Sequence, residues 1–225
     1  ILAGLFITGT DTDVGKTVIS CLIARGLSDR SIDVGVMKPV ASGCDPVSGQ
    51  LVSEDAQLLI DAAKVRDPHE LVCPIRLEPP LSPNVAATDT GVTIEIDHIW
   101  RAHSELASRH DFLLVEGVGG ILVPITDDFF VTDMAIGLGY PVVIVARAGL
   151  GTINHTLMTI ECAQSKGLDV RGVIYNGFSK QPNRSEQTNP RVVTGISGVP
   201  CLGRVPWRDD NTPTSEMIDF EALLS

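Results

Sequence analysis

Six short runs rich in Val, Ile and Leu recur along the chain: Leu5 to Thr8, Val34 to Met37, Phe112 to Val115, Val142 to Ala146, Val170 to Tyr175 and Cys201 to Val205. They are largely continuous rather than alternating with polar residues, and stretches of helical pattern separate them. Strands that are apolar on both sides are buried on both faces, and strands alternating with helices build a mainly parallel sheet flanked by helices. Helical pattern runs from Val18 to Ala24, from Ser53 to Ile60, through the amphipathic Ile96 to His110, and from Thr156 to Lys166. Ser53 is placed to cap the second of these, with Glu54 and Asp55 in its first turn. Ser179 to Pro190, polar and holding Pro182 and Pro190, reads as an excursion between elements.

The length of 225 residues suits one sizeable α/β domain spanning 1–225, and 44% apolar residues supply its core. No apolar run approaches the ~20 residues of a membrane span. No basic and apolar leader is visible at the N-terminus, and because the chain starts at Ile1 a few residues are expected to precede it. A net charge of −11 argues against a nucleic-acid partner, which requires a concentrated basic surface. Cys21, Cys44, Cys73, Cys162 and Cys201 are widely spaced and form no C-x-x-C pair, so reduced thiols in a cytoplasmic protein are expected.

Ligands of open parallel sheets collect at the carboxyl ends of the strands, which directs attention to the residues after each run. The first run leads into Gly9-Thr-Asp-Thr-Asp-Val-Gly-Lys-Thr17 and then into helix. Strand, loop, helix is the setting of a phosphate-binding loop, in which backbone N–H groups and a helix N-terminus meet phosphate. Lys16 is then the residue for the β/γ-phosphates and Thr17 the hydroxyl for Mg²⁺. The fold expected is a P-loop NTPase-like three-layer sandwich. In the usual spacing the first glycine would stand at position 10; here Thr10 stands there and the glycine is Gly9.

Lys38 leaves the second run ahead of Pro39 and is expected in the same crevice as Lys16, where two cations suit an anionic transition state. Asp55, read locally, is an ordinary acidic residue of a first helical turn. Arg76 to Pro83 holds Pro79, Pro80 and Pro83 and reads as a shaped loop. His98, His103 and His110 are spaced by five and seven, unlike a ligand pair, and read as solvated helix residues. Glu116 ends four apolar residues, where a carboxylate must be paired or bound to metal, and Gly117, Gly119 and Gly120 behind it let backbone approach a ligand. Asn154 and His155 read as helix caps. Asn176-Gly177 reads as a turn or as an amide facing a purine edge, and Trp207 ends the last strand with an aromatic plate.

Gly9 to Thr17, Lys38-Pro-Val-Ala-Ser-Gly43, Glu116-Gly-Val-Gly-Gly120, Leu150-Gly-Thr-Ile-Asn-His155 and Val205-Pro-Trp207 together resemble the dethiobiotin synthetase family, ATP-dependent ligases of biotin biosynthesis. The early glycine is a feature of that family. The resemblance implies a homodimer that converts 7,8-diaminononanoate, CO₂ (or bicarbonate) and ATP to dethiobiotin, ADP and phosphate. It implies Lys16 and Lys38 as catalytic cations and Thr17, Asp55 and Glu116 as Mg²⁺ ligands. Nucleotide contacts follow at Asp13, Val14, Gly15, Lys16, Thr17, Val18, Gly117, Val118 and Gly119, with Asn176, Gly177, Val205, Pro206 and Trp207 around adenine. Thr12, Lys38, Ser42, Gly119 and Gly120 would meet the diamine, and Leu150 and Asn154 would reach it from the partner subunit. The family's tyrosine-bearing helix is matched by Asn183 to Val193, which has no tyrosine; Arg184, Ser185 and Arg191 are the alternatives for its role.

A regulatory or partitioning ATPase of the same branch is the rival reading. The loop lacks the extra early lysine of that class, and the acidic Glu216 to Ser225 end is unsuited to anionic lipid.

Overall fold

The computed structural model describes residues 3–207 and 215–225. Its main sheet has strands β1 (Ala3–Gly9), β2 (Val34–Met37), β3 (Phe112–Gly120), β4 (Val142–Arg147), β5 (Val170–Phe178) and β6 (Cys201–Pro206). They lie in the order β6-β5-β4-β1-β3-β2, and every pairing is parallel. From β1 the chain passes to the edge strand β2, returns to β3 between the two, and then crosses to the other side to build β4, β5 and β6 outward. The reversal falls at β1, whose carboxyl end opens into the Gly9–Thr17 loop, the position where such sheets bind ligands.

Helices α1 (Lys16–Asp29), α2 (Glu54–Ala63), α3 (Pro83–Thr90), α4 (Ile96–Arg109), α5 (Val131–Leu138), α6 (Thr152–Ser165), α7 (Arg184–Ser197) and α8 (Phe220–Leu224) cover the sheet. Successive strand residues point to opposite faces, so one apolar run feeds two cores. Leu5 and Ile7 pack with Ile19, Leu22 and Ile23 of α1, whereas Phe6 packs on the other side with the group that includes Ile99 of α4 and Met134 of α5. This is the three-layer sandwich expected from the pattern.

Several local expectations change. Ile75–Leu77 is a short strand paired with Val40–Ser42, so Arg76 and Leu77 belong to a ribbon and the loop proper begins at Glu78. The excursion read from the pattern after Ser179 is mostly helix α7, as the resemblance over Asn183 to Val193 implied. Its first turn is fixed by a reciprocal pair in which Asn183 Oδ1 accepts from the Glu186 amide and Glu186 Oε2 accepts from the Asn183 amide. Pro190 sits inside this helix, where its ring removes one backbone donor. Helix α6 starts at Thr152 with Gly151 at φ 93° before it, so Asn154 and His155 lie within the first turn and cap nothing. His103 and His110 are partnered rather than solvated. His103 Nε2 lies 2.8 Å from the Tyr140 hydroxyl, and His110 joins Asp33 and Asp67 at 2.9 and 2.8 Å.

Candidate active site

The Gly9–Thr17 loop is built by two close approaches. A Cβ at residue 9 would stand 2.8 Å from the Asp11 carbonyl oxygen and 3.2 Å from Lys16 Cδ, so the loop and the lysine fold directly over Gly9. That contact requires glycine at 9 and leaves position 10 free to be threonine, whose amide donates to Val145. At the other end Asp13 and Gly15 adopt left-handed backbone, φ 55° and 91°, which turns the chain into α1. Arg147, at the tip of β4, reaches the Asp11 carboxylate at 3.3 Å and the Thr12 carbonyl at 3.4 Å.

Lys16 and Lys38 line one cavity of about 550 Å³ at the strand tips. Thr12, Asp13, Gly15, Thr17, Ser42, Asp55, Val118 and Gly119 of the sequence-predicted set share its walls. Glu116 lies beneath it, fully buried. Lys38 Nζ is 2.6 Å from Glu116 Oε1 and 2.8 Å from Asp55 Oδ2, with the Gly117 carbonyl at 3.4 Å. The Thr17 hydroxyl is 2.9 Å from both Asp55 Oδ1 and Glu116 Oε1, and its single proton serves one of them at a time. Glu116 Oε2 is buried with no hydrogen-bond partner.

Burial works to lower the Lys38 pKa, but Glu116 and Asp55 outweigh it and hold the ammonium above its ordinary value. Burial works to raise that of Asp55, yet Lys38 and Thr17 keep it below the usual carboxylate range. Lys16 is lowered, by burial first and then by the neighbouring Lys38 charge, and its Nζ lies 3.3 Å from the Asp11 carbonyl. Two carboxylates and a hydroxyl, one carboxylate oxygen orphaned, form a hard oxygen set that fits a divalent ion completed by phosphate and water.

A second group gathers at the tips of β5 and β6. Asn176 Nδ2 donates to the Val14 carbonyl at 3.0 Å, and a Cβ at Gly15 would stand 2.0 Å from that nitrogen. Val205 pairs with Asn176 and Pro206 with Phe178, while exposed Trp207 stands beside Gly177. Asn176, Gly177, Val205, Pro206 and Trp207, with Val14 and the half-exposed Val18, adjoin the loop without lining the main cavity. Leu150, 93% exposed, and Asn154 also lie outside it. So does Gly120, which backs onto the Gly9 carbonyl. Of the alternatives on α7, Ser185 is bonded to Asn189, and Arg184 and Arg191 are exposed. Sequence reasoning missed Ala41, Pro80, Leu81, Ser82, Pro83 and Val123 as walls. The proline cluster was their one available signal.

Residues 3–215 match the family model described as AAA domain. The chain is 41% identical to the ATP-dependent dethiobiotin synthetase BioD of Thermodesulfovibrio yellowstonii, with 99% of each chain covered. It belongs to the dethiobiotin synthetase family. Another BioD, from Anoxybacillus flavithermus, is 44% identical over 91% of this chain and 92% of its own. That of Bacillus subtilis (strain 168) is 41% identical over 91% and 87%. A ParA family ATPase from Chlorobium tepidum TLS superposes with a TM-score of 0.60 over 99% of both chains at 16% identity, a likeness of fold alone. In this dethiobiotin synthetase chain, then, the loop that the displaced glycine begins and the Lys38 segment that marked the family by sequence line one crevice.

Proposed function

We propose that the chain makes dethiobiotin from 7,8-diaminononanoate, CO₂ or bicarbonate, and ATP, releasing ADP and phosphate. The observation that carries this reading is the meeting of Lys16 and Lys38 over Asp55 and Glu116 in one cavity, in a chain of this family.

The chemistry needs no enzyme nucleophile. One amine adds to CO₂ and loses a proton, giving a carbamate; a carbamate oxygen attacks the γ-phosphorus as the bond to ADP breaks. The second amine attacks the carbonyl carbon of the mixed anhydride, phosphate leaves, a proton is lost and the cyclic urea closes. Positioning and charge stabilisation are the whole of the catalytic task. Lys16 and Lys38 supply positive charge where the γ-phosphate and the carbamate meet. Thr17, Asp55 and Glu116 would hold Mg²⁺, which when bound supplies charge neutralisation to phosphate oxygens. Thr12, Ser42 and Gly119 would face the diamine, with Gly120 behind them, and Asn176, Gly177, Val205, Pro206 and Trp207 the adenine. The exposure of Leu150 supports its role, with Asn154, as a partner-facing residue of a homodimer.

The reading makes the chain one cytoplasmic domain over residues 1–225, in keeping with five free thiols. Among the described residues no helix is long and apolar enough to cross a membrane. Purified protein given Mg-ATP and bicarbonate is expected to release ADP in proportion to added diamine, with dethiobiotin found by mass. ADP release indifferent to the diamine would remove the proposal.

A further inference from the structure

Lys38 and a divalent ion compete for the same atoms. Its ammonium is nearly buried and lies within 2.8 Å of an oxygen of both Asp55 and Glu116, the two carboxylates of the hard oxygen set. Glu116 Oε1 also meets Thr17, which leaves Oε2, buried and unpartnered, as the one oxygen of that carboxylate still able to take a cation. A buried carboxylate without a positive partner is costly, and Lys38 supplies that partner from within the chain. Bare metal entering here meets this ammonium and the nearby Lys16; metal that arrives on a polyphosphate brings the negative charge that offsets both.

We infer that Lys38 is a tethered counter-cation that keeps the Asp55–Glu116 pair closed to divalent metal until a nucleotide delivers it. Its displacement from the pair then frees the ammonium for the phosphate. The inference rests on the proposed function only for the identity of the substrates. The competition follows from the positions of three side chains.

Mn²⁺ titrated into the full chain without nucleotide, followed by loss of the free-ion paramagnetic signal, tests it in wild type and Lys38→Met. The variant is expected to bind at least about tenfold tighter, a conservative reading of the repulsion between a unit charge and a divalent ion a few ångströms apart. Equal affinities in a folded variant overturn it. Because Lys38→Met leaves a buried carboxylate uncompensated, a second measurement keeps the wild-type chain: the ¹⁵N ammonium resonance of Lys38, assigned by its loss in Lys38→Arg. It should shift when Mg²⁺ and a non-hydrolysable ATP analogue are added together, and stay with Mg²⁺ alone. A signal that moves with Mg²⁺ alone, or fails to move with the pair, overturns the inference. The diamine enters neither experiment, so a chain that makes no dethiobiotin can still pass both.

Discussion

A lysine and a histidine each sit between two carboxylates, at opposite ends of the β2–β3 pair. At the carboxyl end Lys38 joins Asp55 and Glu116; at the amino end, just ahead of the same strands, His110 joins Asp33 and Asp67. The second cluster is closed around its histidine and its buried carboxylate. Both ring nitrogens of His110 face carboxylates, the second oxygen of Asp67 takes Arg109 at 2.9 Å, and Gly35 gives the imidazole its seat, since a Cβ there would stand 2.4 Å from the ring. The first is left incomplete, with one hydroxyl proton shared between two acceptors, one orphan oxygen and a cavity overhead. Similar charge patterns thus serve as a staple where the ring and the buried carboxylate are fully partnered and as a site where the buried carboxylate is not.

The contrast breaks most sharply at Lys38. Lys38→Ala is expected to lower dethiobiotin turnover at least about a hundredfold, ~2.7 kcal/mol of transition-state stabilisation by analogy with removal of one electrostatic contact. Steady-state rates near wild type would make Lys38 a second staple. Glu116→Gln should raise the Mg²⁺ concentration for half-maximal activity roughly tenfold, as loss of a carboxylate around a metal does. An unchanged titration would move that carboxylate to the structural side.

His110→Ala is expected to cost about 2 kcal/mol in denaturant unfolding, because Asp67 is left buried without one donor, while turnover stays put. A fall in turnover at saturating substrate would couple the two poles. The smallest effect is its pH dependence. Burial works against charging His110, but Asp33 and Asp67 raise its pKa above the ordinary value. Its contribution is therefore complete below the unfolded value of about 6.5 and fades as pH rises through the higher folded one. Asp67, for which burial is outweighed by hydrogen bonds from His110 and Arg109, is shifted down. Its part is present above about pH 3.9 and is lost as pH falls through the lower folded value. The stability gap between wild type and His110→Ala should therefore be widest between about pH 4 and 6.5; a gap that grows above pH 7 would refute the pairing.

The same contrast explains what could be read from sequence. Runs such as Val142 to Ala146 gave away the strands because two-faced burial leaves a continuous apolar signature, and Gly9 to Thr17 and Lys38 were legible because their chemistry follows directly from a strand. Nothing local tells that His110 will find Asp67, 43 positions away, and Asp33, 77 away. Three-residue strands such as Ile75–Leu77 are too short for period-two alternation to show, so Pro80 to Pro83 could be called a loop but not a wall. Helix α7 was visible only through the family resemblance, not in the residue pattern, which Pro182, Pro190 and the polar residues obscure, because the capping pair and the Asn189 bonds to Ala148 and Gly149 that fix it are side-chain events.

The amide of Asn176 fills the space a methyl group on residue 15 would need, and it holds the carbonyl of Val14, 162 positions earlier. Loop and distant strand tip are in this sense one part cut from two lengths of chain. On the proposed placement of adenine beside Asn176, any redesign for a different base would have to recut the Gly9–Thr17 loop with it.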